Sequence, residues 1–281
     1  MEKINLREVR GFSDSITVSF NFLKQEFVPL IKAFAVIVLP LIFVDLFFRS
    51  YVMRSTLNMA MNPDMLASSP GQYMLNILVA NLAAIVAHMW MSFFGIAYLR
   101  AYILKYDQGN QERITMGDVW RVMSENMGKL ILWGIIYLLM GMVGCMCCVV
   151  PGIYLAVAYF FTAYFMVLEG KTLSGGMSES LKLIKGNWWS LFGFLALVGL
   201  IVGMLSYVFG IPSMILTFKS MLTQELPGVY ETTFGLFFAS LGQIFLQVIL
   251  IIGGGVRFFS FLEQREHTGL IQKINQIGET V

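Results

Sequence analysis

Polar and apolar positions along this chain fall into long blocks rather than a short alternation. Six blocks stay apolar over about the 20 residues that a helix needs to cross a bilayer. They are Val28–Phe48, Met74–Tyr106, Leu130–Val150, Pro151–Leu168, Trp188–Phe209 and Phe234–Leu262. The pattern predicts an all-α membrane protein with six transmembrane helices. The second and sixth blocks exceed one bilayer thickness, which predicts tilted or protruding helices. Pro212, after Gly210 and Ile211, predicts a break or kink in the fifth, because proline lacks the backbone donor and crowds the preceding turn. Val149-Val150-Pro151-Gly152 leaves room only for a tight hairpin between the third and fourth.

Each odd-numbered block is preceded by an amphipathic segment. With Phe20, Trp120 and Leu181 in register, "SFNFLKQEF" (19–27), "VWRVMSENM" (119–127) and "SLKLIKGNW" (180–188) align without gaps. Apolar residues coincide at Ile16/Met116/Met177, Phe20/Trp120/Leu181, Leu23/Met123/Ile184 and Phe27/Met127/Trp188. That spacing of i, i+4, i+7, i+11 is one stripe of a helix. The polar side agrees at Asn21/Arg121/Lys182, Lys24/Ser124/Lys185 and Glu26/Asn126/Asn187. A helix with an apolar stripe, basic residues and aromatic rings is suited to the membrane interface. Trp120, Arg121, Lys182, Lys185, Trp188 and Trp189 are its expected anchors at headgroup level. The predicted architecture is three parallel repeats, about residues 11–106, 115–169 and 173–262, each a cytoplasmic interfacial helix followed by two spans. Together they form a single integral membrane domain over 1–281, ending in a short cytoplasmic tail at 263–281.

Composition excludes the soluble class. Mean hydropathy is +0.73 and only 13% of residues are charged, against about a quarter in soluble chains. Charges throughout the first 27 residues predict no cleavable signal peptide. Of the 19 Lys and Arg residues, only Arg49, Arg54 and Lys219 fall on the opposite side from the termini. Positive charge is retained inside, so both termini are expected in the cytoplasm of a bacterium, with the chain in its inner membrane. The basic residues are dispersed along the interface, which gives no support for nucleic acid as a partner. The expected partners are the lipid bilayer, with a bound lipid or a membrane protein.

Residues 149–194 carry further motifs: Pro151-Gly152-Ile153-Tyr154 at a turn, Leu168-Glu169-Gly170 at a helix exit, then Ser178, Leu181, Lys185, Gly186, Trp188 and Trp189. This stretch resembles bacterial membrane proteins of the glycerophosphodiester phosphodiesterase membrane-domain type and their uncharacterised relatives. The tail "RFFSFLEQREHTG" (257–269) is similar to that family's aromatic–leucine–charged exit. The resemblance implies a multi-pass helical architecture over most of the chain. Its motifs are structural rather than catalytic. Some members carry a fused soluble phosphodiesterase; with about 19 residues after the last span, none is expected here.

Candidate chemistry is sparse. His88 lies within the second block, where an ionisable group is costly and functional by default; it also reads as a structural imidazole donating to a carbonyl or hydroxyl. Asp45 is one turn from Arg49, a spacing that suits a local ion pair. Gln243 and Gln247 are placed for hydrogen bonds between helices, and Glu169 sits beside Gly170 and Lys171. These five are the ligand or proton candidates. Cys145, Cys147 and Cys148 form a weak soft-metal candidate, since Cys145 and Cys148 would share a helix face; cysteine also packs as a small hydrophobe. There is no phosphate-binding loop, nucleophile elbow or zinc-protease motif. No cofactor and no catalytic residue are expected. The leading expectation is a non-enzymatic polytopic protein, a scaffold or accessory factor in an envelope or lipid-related process. The alternative is a transporter or channel-like protein for a small solute or lipid.

Overall fold

A computed structural model describes residues 4–107, 113–147 and 149–266. Every regular element among them is a helix: α1 (Phe12–Gln25), α2 (Phe27–Ile37), α3 (Leu39–Met61), α4 (Pro63–Ser68), α5 (Pro70–Asp107), α6 (Met116–Cys147), α7 (Val149–Ala158), α8 (Thr162–Leu168), α9 (Leu173–Ile184), α10 (Trp188–Thr223) and α11 (Val229–Glu266). Five are long and apolar enough to cross a membrane: α5, α6, α7 continued by α8, α10 and α11. The bent pair α2 and α3 makes a sixth if it is one span. Only 11% of the most apolar stretch of α10 is buried. So large an exposed apolar surface suits a surrounding lipid phase, not water.

The first apolar block is not the continuous helix that its composition suggests. The chain bends by 53° between α2 and α3. Pro40 causes it: it cannot donate to the Val36 carbonyl, and its ring crowds the preceding turn. The Leu41 N–H bonds Val38 instead, at 3.0 Å, which strips the Ile37 carbonyl of its usual helical donor. The Trp90 indole N–H supplies the replacement at 3.1 Å.

At Pro212, where a break or kink was expected, the helix is not broken: α10 runs through it to Thr223. Hydroxyls bond the carbonyls beside the proline. Ser213 donates to the Gly210 carbonyl at 2.8 Å, and Thr217 to that of Ser213 at 2.9 Å. Neither bond reaches the Val208 carbonyl, the one that Pro212 leaves without a helical donor. Glycines of α11 flank the site: a Cβ on Gly242 would meet Phe209 at 2.2 Å, and one on Gly235 the Ser213 backbone at 3.2 Å.

One further expectation shifts. The residues placed in a hairpin, Val149–Gly152, form the first turn of α7. There Pro151 costs nothing, because the first-turn N–H groups have no intrahelical acceptor. The stretch after the first block is helical as α3 and α4. Helix α9 does not run straight into α10. Residues 185–187 form a turn, with Gly186 at φ +88°, a conformation that suits glycine.

The three aligned segments share a burial register. Ser19, Val119 and Ser180 are buried, as are Phe22, Val122 and Leu183. Phe20, Trp120 and Leu181, one position after the first set, are all exposed. The matching apolar position is thus turned away from the protein in each segment. Helices α1 and α9 also begin at equivalent positions and both end before an equivalent residue, Phe27 or Trp188, whereas α6 continues unbroken. Helix α9 packs antiparallel along its predecessors: Gly176 lies against Thr162, and Ser180 donates to the Ala158 carbonyl at 2.9 Å.

The chain divides into two compact units. The first comprises Met1–Ala33, Phe93–Gly199 and Ile249–Val281; the second comprises Phe34–Ser92 and Leu200–Val248. Small residues set the close contacts of the first. A Cβ on Gly144 would meet the Gly152 Cα at 2.7 Å, which makes the α6–α7 approach a backbone contact. Cβ atoms on Gly254 and Gly255 would meet Phe160 at 2.7 Å and Leu99 at 2.4 Å. The glycine run 253–255 is therefore a close helix contact, the role small residues play in membrane bundles.

Candidate functional site

The second unit holds four of the five expected ligand or proton candidates. Helix α5 presents His88 and Ser92 one turn apart, and α11 presents Gln247. The Gln247 Nε2 donates to the His88 carbonyl at 3.2 Å and to the Ser92 hydroxyl at 3.1 Å. Its Oε1 is therefore the acceptor, and the His88 Nδ1–H donates to it at 2.6 Å. The Ser92 hydroxyl in turn donates to the His88 carbonyl at 2.9 Å. Gln243, one turn before Gln247, is exposed and stands apart from this network.

Asp45 is separate from His88 and differently satisfied. It is only 3% exposed. Its Oδ2 lies 2.8 Å from the Arg49 Nε, and the Ser240 hydroxyl approaches it at 3.5 Å. The Arg49 contact is a close ion pair without hydrogen-bond alignment, and neither that Nε nor the Asp45 Oδ1 has a hydrogen-bond partner. Asp45 also lines a cleft of about 310 Å³, whose other walls are apolar side chains of α3 and α5. Elsewhere in this unit, Asn76 donates to the Ser55 hydroxyl at 2.7 Å and accepts from Gln72 at 3.0 Å.

The first unit contains the fifth candidate, Glu169, which is exposed at the C-cap of α8. It also buries charged side chains, Glu26 and Arg257 among them, of which Glu26 was expected on the polar side of its helix. Glu26 accepts from the Tyr98 hydroxyl at 2.9 Å. Arg257 is only 3% exposed. It donates to the Ser190 hydroxyl at 2.6 Å and the Arg10 carbonyl at 3.3 Å, and its guanidinium lies 4.4 Å from the Phe261 ring centre. A lone arginine within "GGGVRFFSFL" was the signal for its burial, since a charge amid an apolar run must face inward or reach the interface. Glu26 gave no such signal, because it aligns with Asn126 and Asn187.

Outside the candidate spans, burial lowers the Arg10 pKa, against the raising effects of Glu8 at 2.9 Å and of Asp14. Hydrogen bonding from Lys182 and then from Arg265, at 2.9 and 3.0 Å, holds the Glu179 carboxyl below its ordinary value despite the opposing cost of burial.

The expected anchors fall in this unit too. Trp120, Arg121, Lys182, Lys185 and Trp189 are exposed, Trp189 at 77%. Trp188 is half-buried: its ring stacks on Phe192 at 5.2 Å and on Tyr154 at 5.8 Å. The tyrosine of the Pro-Gly-Ile-Tyr motif thus meets the first tryptophan of the Trp-Trp motif. The side chains of Cys145, Cys147 and Cys148 lie outside the described residues. Among the described residues, no three His, Cys, Asp or Glu side chains gather as a metal site.

An all-helical chain with five or six helices able to cross a membrane, and sparse, mostly self-paired polar groups, is a multi-pass membrane protein. The chain belongs to the family described as a domain of unknown function (DUF7847), whose model matches residues 70–261. No curated protein and no solved structure matches it.

Proposed function

We propose that this is a non-enzymatic polytopic protein of the bacterial inner membrane, with both termini cytoplasmic, that serves as a scaffold or accessory factor in a lipid-related envelope process. The observation that carries the reading is the shared burial register of α1, the start of α6 and α9. Each turns an apolar residue outward, Phe20, Trp120 or Leu181, next to exposed basic residues such as Lys24, Arg121 and Lys182. Aromatic and basic side chains presented together suit lipid headgroups and an anionic leaflet. The same register supports three parallel repeats that each begin with an interfacial helix. The stacking of Tyr154 on Trp188 supports kinship with the glycerophosphodiester phosphodiesterase membrane-domain type, because it joins two of the motifs that carry the resemblance.

The polar interior is compatible with this role. His88 with Gln247, Glu26 with Tyr98 and Arg257 with Ser190 each form a tie between helices, the commonest use of such groups in membranes. A transporter or channel-like protein for a small solute or lipid is the second reading, favoured by the cleft beside Asp45.

Native mass spectrometry of the gently extracted protein tests the leading reading. The expected result is co-purified anionic phospholipid that is lost when Arg121, Lys182 and Lys185 are all changed to Glu. Equal lipid retention by the variant, or a turnover abolished by one substitution within a span, would overturn it. Flux across reconstituted vesicles that stops on filling the cleft would establish the second reading. A fluorescent reporter fused to the C-terminus, folding only in the cytoplasm, tests the orientation.

A further inference from the structure

Helices α10 and α11 each carry a charge-free stretch longer than a bilayer is deep. On α11 no charged residue stands between Glu231 and Arg257, and on α10 none stands between Ser190 and Lys219. The same partners close both stretches: Arg257 donates to the Ser190 hydroxyl at 2.6 Å, and Lys219 lies 3.7 Å from Glu231. At about 1.5 Å per residue the stretches measure about 39 and 43 Å, against about 30 Å for a hydrocarbon core. Fitting them by tilt alone needs about 40° and 45°, whereas membrane helices average about 20° and reach about 40°.

The surface of α10 shows what surrounds it. Met221, Met214, Tyr207, Met204, Leu205 and Phe209 are 39–72% exposed, and they spread over about 240° of the helix at about 100° per residue. The remaining arc carries Ser206, Ser213, Thr217 and Ser220, and Gly235 of α11 packs on Ser213 there. A docked helix covers one stripe of about 100°, so a single partner helix leaves most of the exposed arc bare. Fluid acyl chains cover all of it. The exposure persists more than about 30 Å along the helix from Ser190, at Ile211, Met214, Ile215 and Phe218, which are 48–65% exposed. Water would solvate side chains of this kind poorly. The span of ordinary length is the sheltered one: Val149–Leu168, at 20 residues, is 50% buried.

We propose that the partner of this face is lipid with acyl chains longer than 18 carbons, and that α10 and α11 hold the hydrocarbon around them at about 37–40 Å, their charge-free lengths at the usual tilt. The inference rests on the chain crossing a membrane and not on the accessory role, whose own test reads anionic headgroups at other residues.

The test uses the full chain in phosphatidylcholine vesicles with monounsaturated chains of 14, 18, 22 or 24 carbons, so that only thickness changes. The midpoint of thermal unfolding should be highest at 22 or 24 carbons and several degrees lower at 18. Met214→Lys places a charge on the exposed arc beyond the reach of an ordinary core. It should lower the midpoint at 22 carbons and leave it unchanged at 14. Leu200→Lys, well inside any core, should lower it at every length. If Leu200→Lys does not fold, the native chain and Met214→Lys decide the matter. A maximum at 14 or 18 carbons, a midpoint independent of chain length, or a neutral Met214→Lys at 22 carbons would each overturn the proposal. Dimers cross-linked through α10 at every length would overturn it too, and would assign the face to a second copy of the chain.

Discussion

His88 and Gln247, 159 positions apart in the sequence, engage each other at two points: imidazole to amide oxygen at 2.6 Å, and amide nitrogen to the His88 carbonyl at 3.2 Å. The amide also reaches Ser92, so one side chain joins α11 to two groups on α5. Gln247→Met keeps the volume and removes every one of these bonds. Hydrogen bonds between membrane helices contribute about 0.6 kcal/mol on average and up to about 1.7, and three are lost here. The midpoint of thermal unfolding in detergent should fall by several degrees. An unchanged midpoint would mean that the network contributes nothing to stability and would return His88 to the functional candidates.

The bend after α2 depends on a long-range hydrogen bond. Trp90→Phe removes the indole donor to the Ile37 carbonyl and leaves a carbonyl without its helical or its substitute partner. The expected cost is about 1–3 kcal/mol. Pro40→Ala should repair the helix locally and make Trp90→Phe nearly neutral. A double-mutant cycle on unfolding free energy measures that coupling, and additive effects would refute it.

Two glycines on α6, one turn apart, should respond oppositely to alanine. At Gly144 the new Cβ meets backbone of α7 at 2.7 Å, which no rotamer change relieves; at Gly141 it meets nothing within 4 Å. Gly144→Ala should destabilise by about 1–3 kcal/mol through overpacking. Gly141→Ala should be neutral or stabilising by up to about 1 kcal/mol through helix propensity. Thermal melts of the two variants, side by side, decide the point.

Gly186 turns the chain between α9 and α10 with φ +88°, and a Cβ there would meet no neighbour. Gly186→Ala therefore isolates backbone strain, with an expected cost of about 1–2 kcal/mol. Gly128→Ala, at a position with equally open space inside α6, is the control that should not lose stability.

The Glu179 carboxyl is held below its ordinary value by Lys182 and by Arg265. A depressed folded-state pKa stabilises above the unfolded value, about 4.3 for glutamate, and that contribution is lost as pH falls through the folded value. The unfolding midpoint of the native chain should therefore drop between neutral pH and the acid side of this range. Glu179→Gln should flatten that part of the profile and lower stability slightly at neutral pH, since exposed pairs contribute little. An identical slope in both proteins would exclude Glu179 as its source.

Much of the architecture was legible in the one-dimensional pattern. A helix that must satisfy its own backbone in an apolar phase needs about 20 apolar residues, and that demand wrote α5, α6, α10 and α11 into the hydropathy blocks. The glycine run 253–255 is a close contact because a missing Cβ admits another helix there. His88 and Gln247 were readable singly, as polar groups in apolar surroundings that must find partners. Their pairing was not, because hydrogen-bond geometry depends on which helix faces which.

Two prolines mark the boundary between the two kinds of information. By sequence alone Pro212 was expected to break or kink its helix and Pro40 carried no expectation, yet Pro40 bends the chain and α10 runs through Pro212. Local chemistry sets the same missing donor at both positions. What differs is what the rest of the fold brings near: Trp90 to donate to the Ile37 carbonyl freed at the bend, and the glycines of α11 packed closely along a helix that stays continuous. The cleft beside Asp45 and the burial of Arg257 likewise exist only once distant segments meet. The sequence by itself determined which segments are helices and which of their surfaces avoid water. The tertiary structure alone decided which polar atoms are satisfied and which, like the Asp45 Oδ1, are left to find a partner, because that depends on the three-dimensional positions of donors remote in the chain.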